Sequence, residues 1–68
     1  MAEEMTAEDR EEMVLNDTTV SLSIETTIAL LRSLRPHERS ERSRGYAVCI
    51  TQMEFAEAYF EQYVRTKE

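Results

Sequence analysis

Five of the eight basic residues of this 68-residue chain, Arg32, Arg35, Arg39, Arg42 and Arg44, fall between positions 32 and 44, where Glu38 and Glu41 are the only acids. Guanidinium groups are planar, permanently charged and forked. They suit phosphate oxygens, which they bind through paired donors, and they stack on aromatic or base planes. Anion recognition is therefore the chemistry this stretch can perform. A plainer reading stands beside it, in which Glu38, Glu41 and the acids upstream absorb the charges as surface pairs worth little each.

No other constellation competes. There is no glycine-rich phosphate loop and no Ser/His/Asp or Cys/His arrangement, and His37, the only histidine, follows Pro36 and reads as an exposed turn residue. An enzyme is not expected, and no cofactor or metal is implied. Cys49, the single cysteine, sits among Val48, Ile50 and Met53 and reads as a small hydrophobe in a reducing compartment.

The rest of the chain is acidic. Residues 1–31 carry eight acids against one base, Arg10, and the formal net charge is −6. That balance argues against generic binding to a DNA backbone, which needs excess positive charge on the contacting face. The start, Met1-Ala2-Glu3-Glu4, lacks the basic and apolar segments of a secretory signal, and no apolar run approaches the roughly 20 residues of a membrane span. The expectation is a cytoplasmic protein that does not enter a membrane.

The elements that position the arginines are helical. Thr6 with Asp9 resembles a capping signal for a short acidic N-terminal helix over about 6–15, within a segment 1–16. Its acids read as a solvated face and not as a metal site. Asn16-Asp17-Thr18 reads as a turn and helix start. Val20, Ile24, Ile28, Leu31 and Leu34 then recur at helical spacing, which predicts a second helix over 17–35. Residues 19–24 also alternate as a strand does, but such a strand has no partner in this chain.

Pro36 must end the second helix, since it lacks an amide donor and restricts the residue before it. After a turn over 36–40, Ser40 can cap a third helix over 41–66, with Gly45 a tolerable cost of about 1 kcal/mol. On that helix Tyr46, Cys49, Ile50, Met53, Ala56, Phe60, Tyr63 and Val64 form one broad stripe, expected to pack on the second helix. The fold class is all-α: one domain, 1–68, with a short N-terminal helix and an antiparallel helical hairpin.

Val48, Phe55 and Tyr59 lie well round from that stripe, so a lone hairpin cannot cover both faces. A chain this short has little core, and one cysteine cannot form an internal disulfide. Self-association is the remaining supplement, with the second face as the interface. Arg44 and Thr51, seven residues apart, share the helix side that carries Val48 and Phe55. Repeated by symmetry, such pairs converge on a pocket suited to a compact multi-phosphate ligand, with apolar and aromatic neighbours for its bases. A helical adaptor that docks the same face on a different protein is the alternative.

The run Arg39-Ser40-Glu41-Arg42-Ser43-Arg44-Gly45-Tyr46-Ala47-Val48-Cys49-Ile50-Thr51-Gln52-Met53-Glu54-Phe55-Ala56, followed by Tyr59-Phe60, resembles the hairpin domain of small phage proteins that sponge up cyclic nucleotides. The resemblance covers about 39–60 and a short motif. It implies a non-enzymatic inhibitor of bacterial CBASS-type antiphage signalling, related to sponges that block the Thoeris system. It further implies a homohexamer that sequesters cyclic di- or trinucleotides between protomers, in the cytoplasm of the host cell. Arg44 and Thr51 are the ligand contacts the resemblance carries over, with Arg39, Arg42 and Tyr46 beside them. Gly45 and Tyr46 depart from the polar or basic residues commoner at those places in the family.

Overall fold

A computed structural model of the chain describes residues 5–66. Residues 1–4, where the acidic N-terminal segment begins, and the last two residues lie outside that range. Helix α1 runs Ala7–Leu34 and helix α2 runs Glu41–Tyr59, continued by one π-helical turn, Phe60–Val64. The two helices form an antiparallel hairpin of 56 × 19 × 15 Å.

Local signals set three of the boundaries. The Thr6 hydroxyl accepts from the Asp9 amide at 3.1 Å while the Asp9 carboxylate accepts from the Thr6 amide at 3.4 Å, a closed capping box. Arg35, just before Pro36, takes the extended ψ of 127° that proline imposes on its predecessor, and α1 stops at Leu34. The Ser40 hydroxyl accepts from the Ser43 amide at 3.1 Å and starts α2.

The break expected at Asn16-Asp17-Thr18 does not exist, and the short N-terminal helix and the second helix are one continuous element of 28 residues. These residues are moderate helix formers, each within about 0.7 kcal/mol of alanine, and none removes an amide donor. Their polar groups also have partners inside the helical form. Thr18 donates to the Val14 carbonyl at 2.8 Å, and the Asp17 carboxylate accepts from the Thr66 amide at 2.7 Å. The third helix ends at Val64 and not at 66, because the last turn widens and the Arg65 amide closes it by donating a hydrogen bond to the Phe60 carbonyl at 2.8 Å.

The seam between the helices is built from Val14, Thr18, Ser21, Ile24, Ile28 and Leu31 against Ser43, Ala47, Ile50, Met53 and Phe60. Of these the buried ones are Ser21, Ile28 and Ser43. Ile24, Ile28, Leu31, Tyr46, Ile50, Met53 and Phe60 take the covered positions the spacing assigned them. Val20, Leu34, Cys49, Ala56, Tyr63 and Val64 do not; they are exposed on the single hairpin. The reason is that polar and charged residues occupy part of the seam. The Ser21 hydroxyl donates to Glu61, Arg65 spans Glu61 at 3.0 Å and Thr18 at 3.4 Å, and half-buried Glu57 lies between Phe60 and Met53 along the same side.

Charge is thus turned inward along the middle of both helices. Between Met13 and Leu34 the charged residues are Asp17, Glu25 and Arg32; between Gly45 and Val64 they are Glu54, Glu57 and Glu61. Asp17, Arg32, Glu54 and Glu61 bond across the hairpin, and Glu25 and Glu57 flank the groove between the helices beside Ile28. The outward faces carry neutral side chains. The isolated chain exposes 5879 Å², where a monomer of its 8.0 kDa exposes about 4,450 Å², and its radius of gyration is 16.5 Å against about 11 Å for a compact domain of this length.

The open end is held by a polar clasp. The Thr66 amide, then the Thr66 side chain, then the charge of Arg65 hold the half-buried Asp17 carboxyl below its ordinary value, with burial opposing them. A carboxyl more acidic in the folded chain than in the unfolded one contributes fully above the ordinary 3.8, and the contribution disappears as pH falls through the folded value. In an NMR acid titration the Thr66 amide resonance should therefore move with a midpoint below 3.8, and Asp17→Asn should remove that transition. A midpoint at or above the ordinary value places the carboxylate elsewhere.

Candidate functional site

The turn that Pro36 and Ser40 define is the wall of an open cleft of about 800 Å³ at the closed end of the hairpin. Arg32 and Arg35 reach it from the last turn of α1 and its cap, Arg39 from the turn, and Arg44 from the first turn of α2; Pro36, His37, Glu38, Glu41, Ser43 and Ala47 complete it.

Ser43 pins this turn. Its buried hydroxyl donates to the Pro36 carbonyl at 3.0 Å and accepts from Arg35 Nε at 3.3 Å, while its amide caps on Ser40. One small side chain thereby fixes the start of α2, the end of α1 and the direction of one guanidinium. Arg32 is answered by Glu54 at 2.6 Å, an ion pair with both partners about half exposed and so worth at most about 1 kcal/mol.

Arg39 and Arg44 have no ion pair or side-chain hydrogen bond among the described residues, and neither Glu38 nor Glu41 pairs with any of the five arginines. The local neutralisation that the plainer reading required is therefore missing at the turn. The cleft presents two uncommitted guanidinium groups beside two engaged ones. Its field is positive on a chain that is otherwise acidic.

The five residues singled out in the sequence fall into three settings. Arg39 and Arg44 line the cleft. Arg42 turns away and lies over the Tyr46 ring, 5.4 Å from its centroid, with Nη2 donating to the Tyr46 hydroxyl at 3.4 Å. Thr51 stands outside the cleft, exposed, its hydroxyl donating to the Ala47 carbonyl at 3.1 Å, which leaves the oxygen able to accept a further bond. Seven residues of helix place it about 10 Å along the axis from Arg44 on the same side of α2. Val48 and Phe55 lie on that side too and are exposed, Phe55 at 73 %.

Arg32 and Arg35 belong to the arginine cluster in the sequence but not to the site expected from it, and Ser43 has no role in that expectation. The signal for the arginines was their place just before Pro36, which folds them back onto α2. For Ser43 there was none beyond its spacing from Ser40, since its partners come from the other helix.

What the cleft can do is bind anions. Among the described residues no group of His, Cys, Asp and Glu is arranged to hold a metal ion. Ser43→Ala should leave the Pro36 carbonyl and Arg35 Nε without their partner and lower stability by about 1–2 kcal/mol in denaturant unfolding followed by circular dichroism. An unchanged midpoint means that the turn is held by other contacts. In comparisons with protein-family models, curated proteins and solved structures, nothing matches this chain.

Proposed function

We propose that this protein is a nucleotide sponge: it self-associates, binds cyclic di- or trinucleotide messengers intact and lowers their free concentration, and in a phage-infected bacterium this silences CBASS-type immunity. The observation that carries the reading is the pair of guanidinium groups, Arg39 and Arg44, that line the turn cleft without an ion pair among the described residues. The sequence resemblance over 39–60 points the same way.

Arg44 links the cleft to the side of α2 that holds Thr51, Val48 and Phe55. Phosphate oxygens on Arg44 and Arg39, charge-assisted, and bases against Phe55 and Val48 use the two kinds of surface for what each does best. One hairpin leaves that side open, and a second copy laid on it closes the pocket. Sequestration requires no bond to be broken, only tight binding by an abundant small protein. No cofactor enters.

The same exposed Val48, Phe55 and Tyr59 support one other reading, an adaptor that docks on a host protein. Thermal melting separates the two, because a cyclic nucleotide should raise the melting temperature of the sponge and only a host protein that of the adaptor.

The decisive measurement is calorimetry of the purified protein against a panel of cyclic di- and trinucleotides, followed by denaturation and mass analysis of the released ligand. The expected result is tight binding of at least one member and recovery of it unchanged. Silence across the panel defeats the proposal, and a cleaved product makes the protein an enzyme. Arg44→Ala should weaken binding at least tenfold, the loss of about 1.4 kcal/mol or more from a charge-assisted contact, with helicity unchanged. Thr51→Ala should weaken it while preserving assembly.

A further inference from the structure

The outer face of α1 is a second surface, separate from the α2 face used above. Leu15, Thr19, Leu22, Thr26, Ala29 and Ser33 recur along it at alternating steps of four and three, the spacing of a coiled-coil seam. Leu15, Thr19, Leu22 and Thr26 are turned away from Ile28 and Ser21, whereas Ala29 borders the groove between the helices with Glu25 and Glu57. Leu15, Leu22 and Leu30 are 66 %, 57 % and 53 % exposed, and no charged residue lies on this face between Met13 and Leu34.

Thr19 on this face, and Ser23 and Thr27 beside it, each donate to the carbonyl four residues back, at 2.9–3.0 Å, which lowers the polarity of a small-residue surface that another helix can approach closely. Thr19, Leu22, Ser23 and Thr26 surround a shallow groove. Four residues at i, i+3, i+4 and i+7 are what forms the hole that receives one side chain of a facing helix.

We infer that two copies of this chain pack antiparallel through the outer faces of α1, each Leu22 seated in the groove of the other. Three observations select this occupant. The groove is centred between Leu22 and Ser23, so a dyad there brings each leucine over the other's hole. It also sets Leu15 against the partner's Leu30, and Thr19 against the partner's Thr26, a self-complementary pattern. Charge selects the direction, because the acidic first turn of α1, with Glu8 and Asp9, then lies beside the partner's turn with Arg35 and Arg39, whereas a parallel pair stacks acid on acid. Area leaves room for more than one interface, since the chain exposes about 1,400 Å² beyond a compact monomer and a standard interface takes about 800 Å² from each partner.

The inference shares self-association with the sponge reading but not the ligand, so a silent nucleotide panel leaves it standing. The test is disulfide trapping in the full chain with Cys49→Ser, comparing Thr19→Cys, Thr26→Cys and the double variant on non-reducing gels. In the antiparallel pair, position 19 faces position 26, while like positions lie about 10 Å apart along the axis, too far for a disulfide. The double variant should shift to twice the chain mass under mild oxidation, and each single variant should stay at one chain. Cross-linking of either single variant as fast as the double, or none in the double, overturns the pairing. In parallel, Leu22→Glu should lower the particle mass in light scattering at least twofold, and an undiminished mass equally overturns it.

Discussion

The structure depends on a seam that holds ions and hydroxyls as well as hydrocarbon. Ile28, 6 % exposed, is the one buried apolar side chain among the described residues, and its neighbours along the hairpin include Ser21, Glu57, Glu61 and Ser43. Burying one aliphatic side chain contributes about 1.5–3 kcal/mol, a small sum for two long helices. The half-buried Ile24, Leu31, Ile50, Met53 and Phe60 add to it, and polar locks close the two ends. At the open end Arg65, Glu61, Ser21 and Thr18 share one network, with Asp17 holding the Thr66 amide beside it. At the closed end Ser43 ties Arg35 and Pro36 to the start of α2.

That arrangement has a consequence for the outside. Charges drawn into the seam are missing from the outer faces, so each helix presents neutral and apolar residues away from its partner. Surface of this kind, on a chain whose accessible area exceeds that of a compact monomer, is surface in need of cover. No helix of the described residues is long and apolar enough to cross a membrane. In the readings proposed above, other copies of the same hairpin would cover both sides: the ligand site lies on the α2 face and the antiparallel pairing on the α1 face, and the two meet only at the turn near Arg39.

The turn brings Arg32, Arg35, Arg39 and Arg44 to one cleft with Glu38 and Glu41, neither of which pairs with them. Pro36 and the Ser40 cap bring the last turn of α1 and the first turn of α2 together, and the seam beside them offers one acid, Glu54, which takes Arg32. Arg42 finds Tyr46. Arg39 and Arg44 remain, and their permanent charges face solvent across a concave surface. A ligand with closely spaced anionic groups gains from both at once, while a single anion gains little against water and salt.

Local chemistry was legible in the sequence wherever one residue acts on its own backbone. The Thr6 and Ser40 caps, the stop before Pro36, the all-helical class and the exposed face of Val48, Phe55 and Tyr59 follow from residue types and spacing alone. The continuity of α1 through Asn16-Asp17-Thr18 was not legible, because Asp17 is held by the amide of Thr66, which is remote in sequence. Nor were the positions of Cys49, Tyr63 and Val64, since apolar periodicity assumes that hydrocarbon seeks the seam, and here Glu57 and Glu61 claim part of it. The sequence by itself determined that two helices meet at an arginine-rich turn. Only the tertiary structure decided which arginines are answered there, because a guanidinium's partner depends on which acids the opposite helix brings within about 3 Å of it.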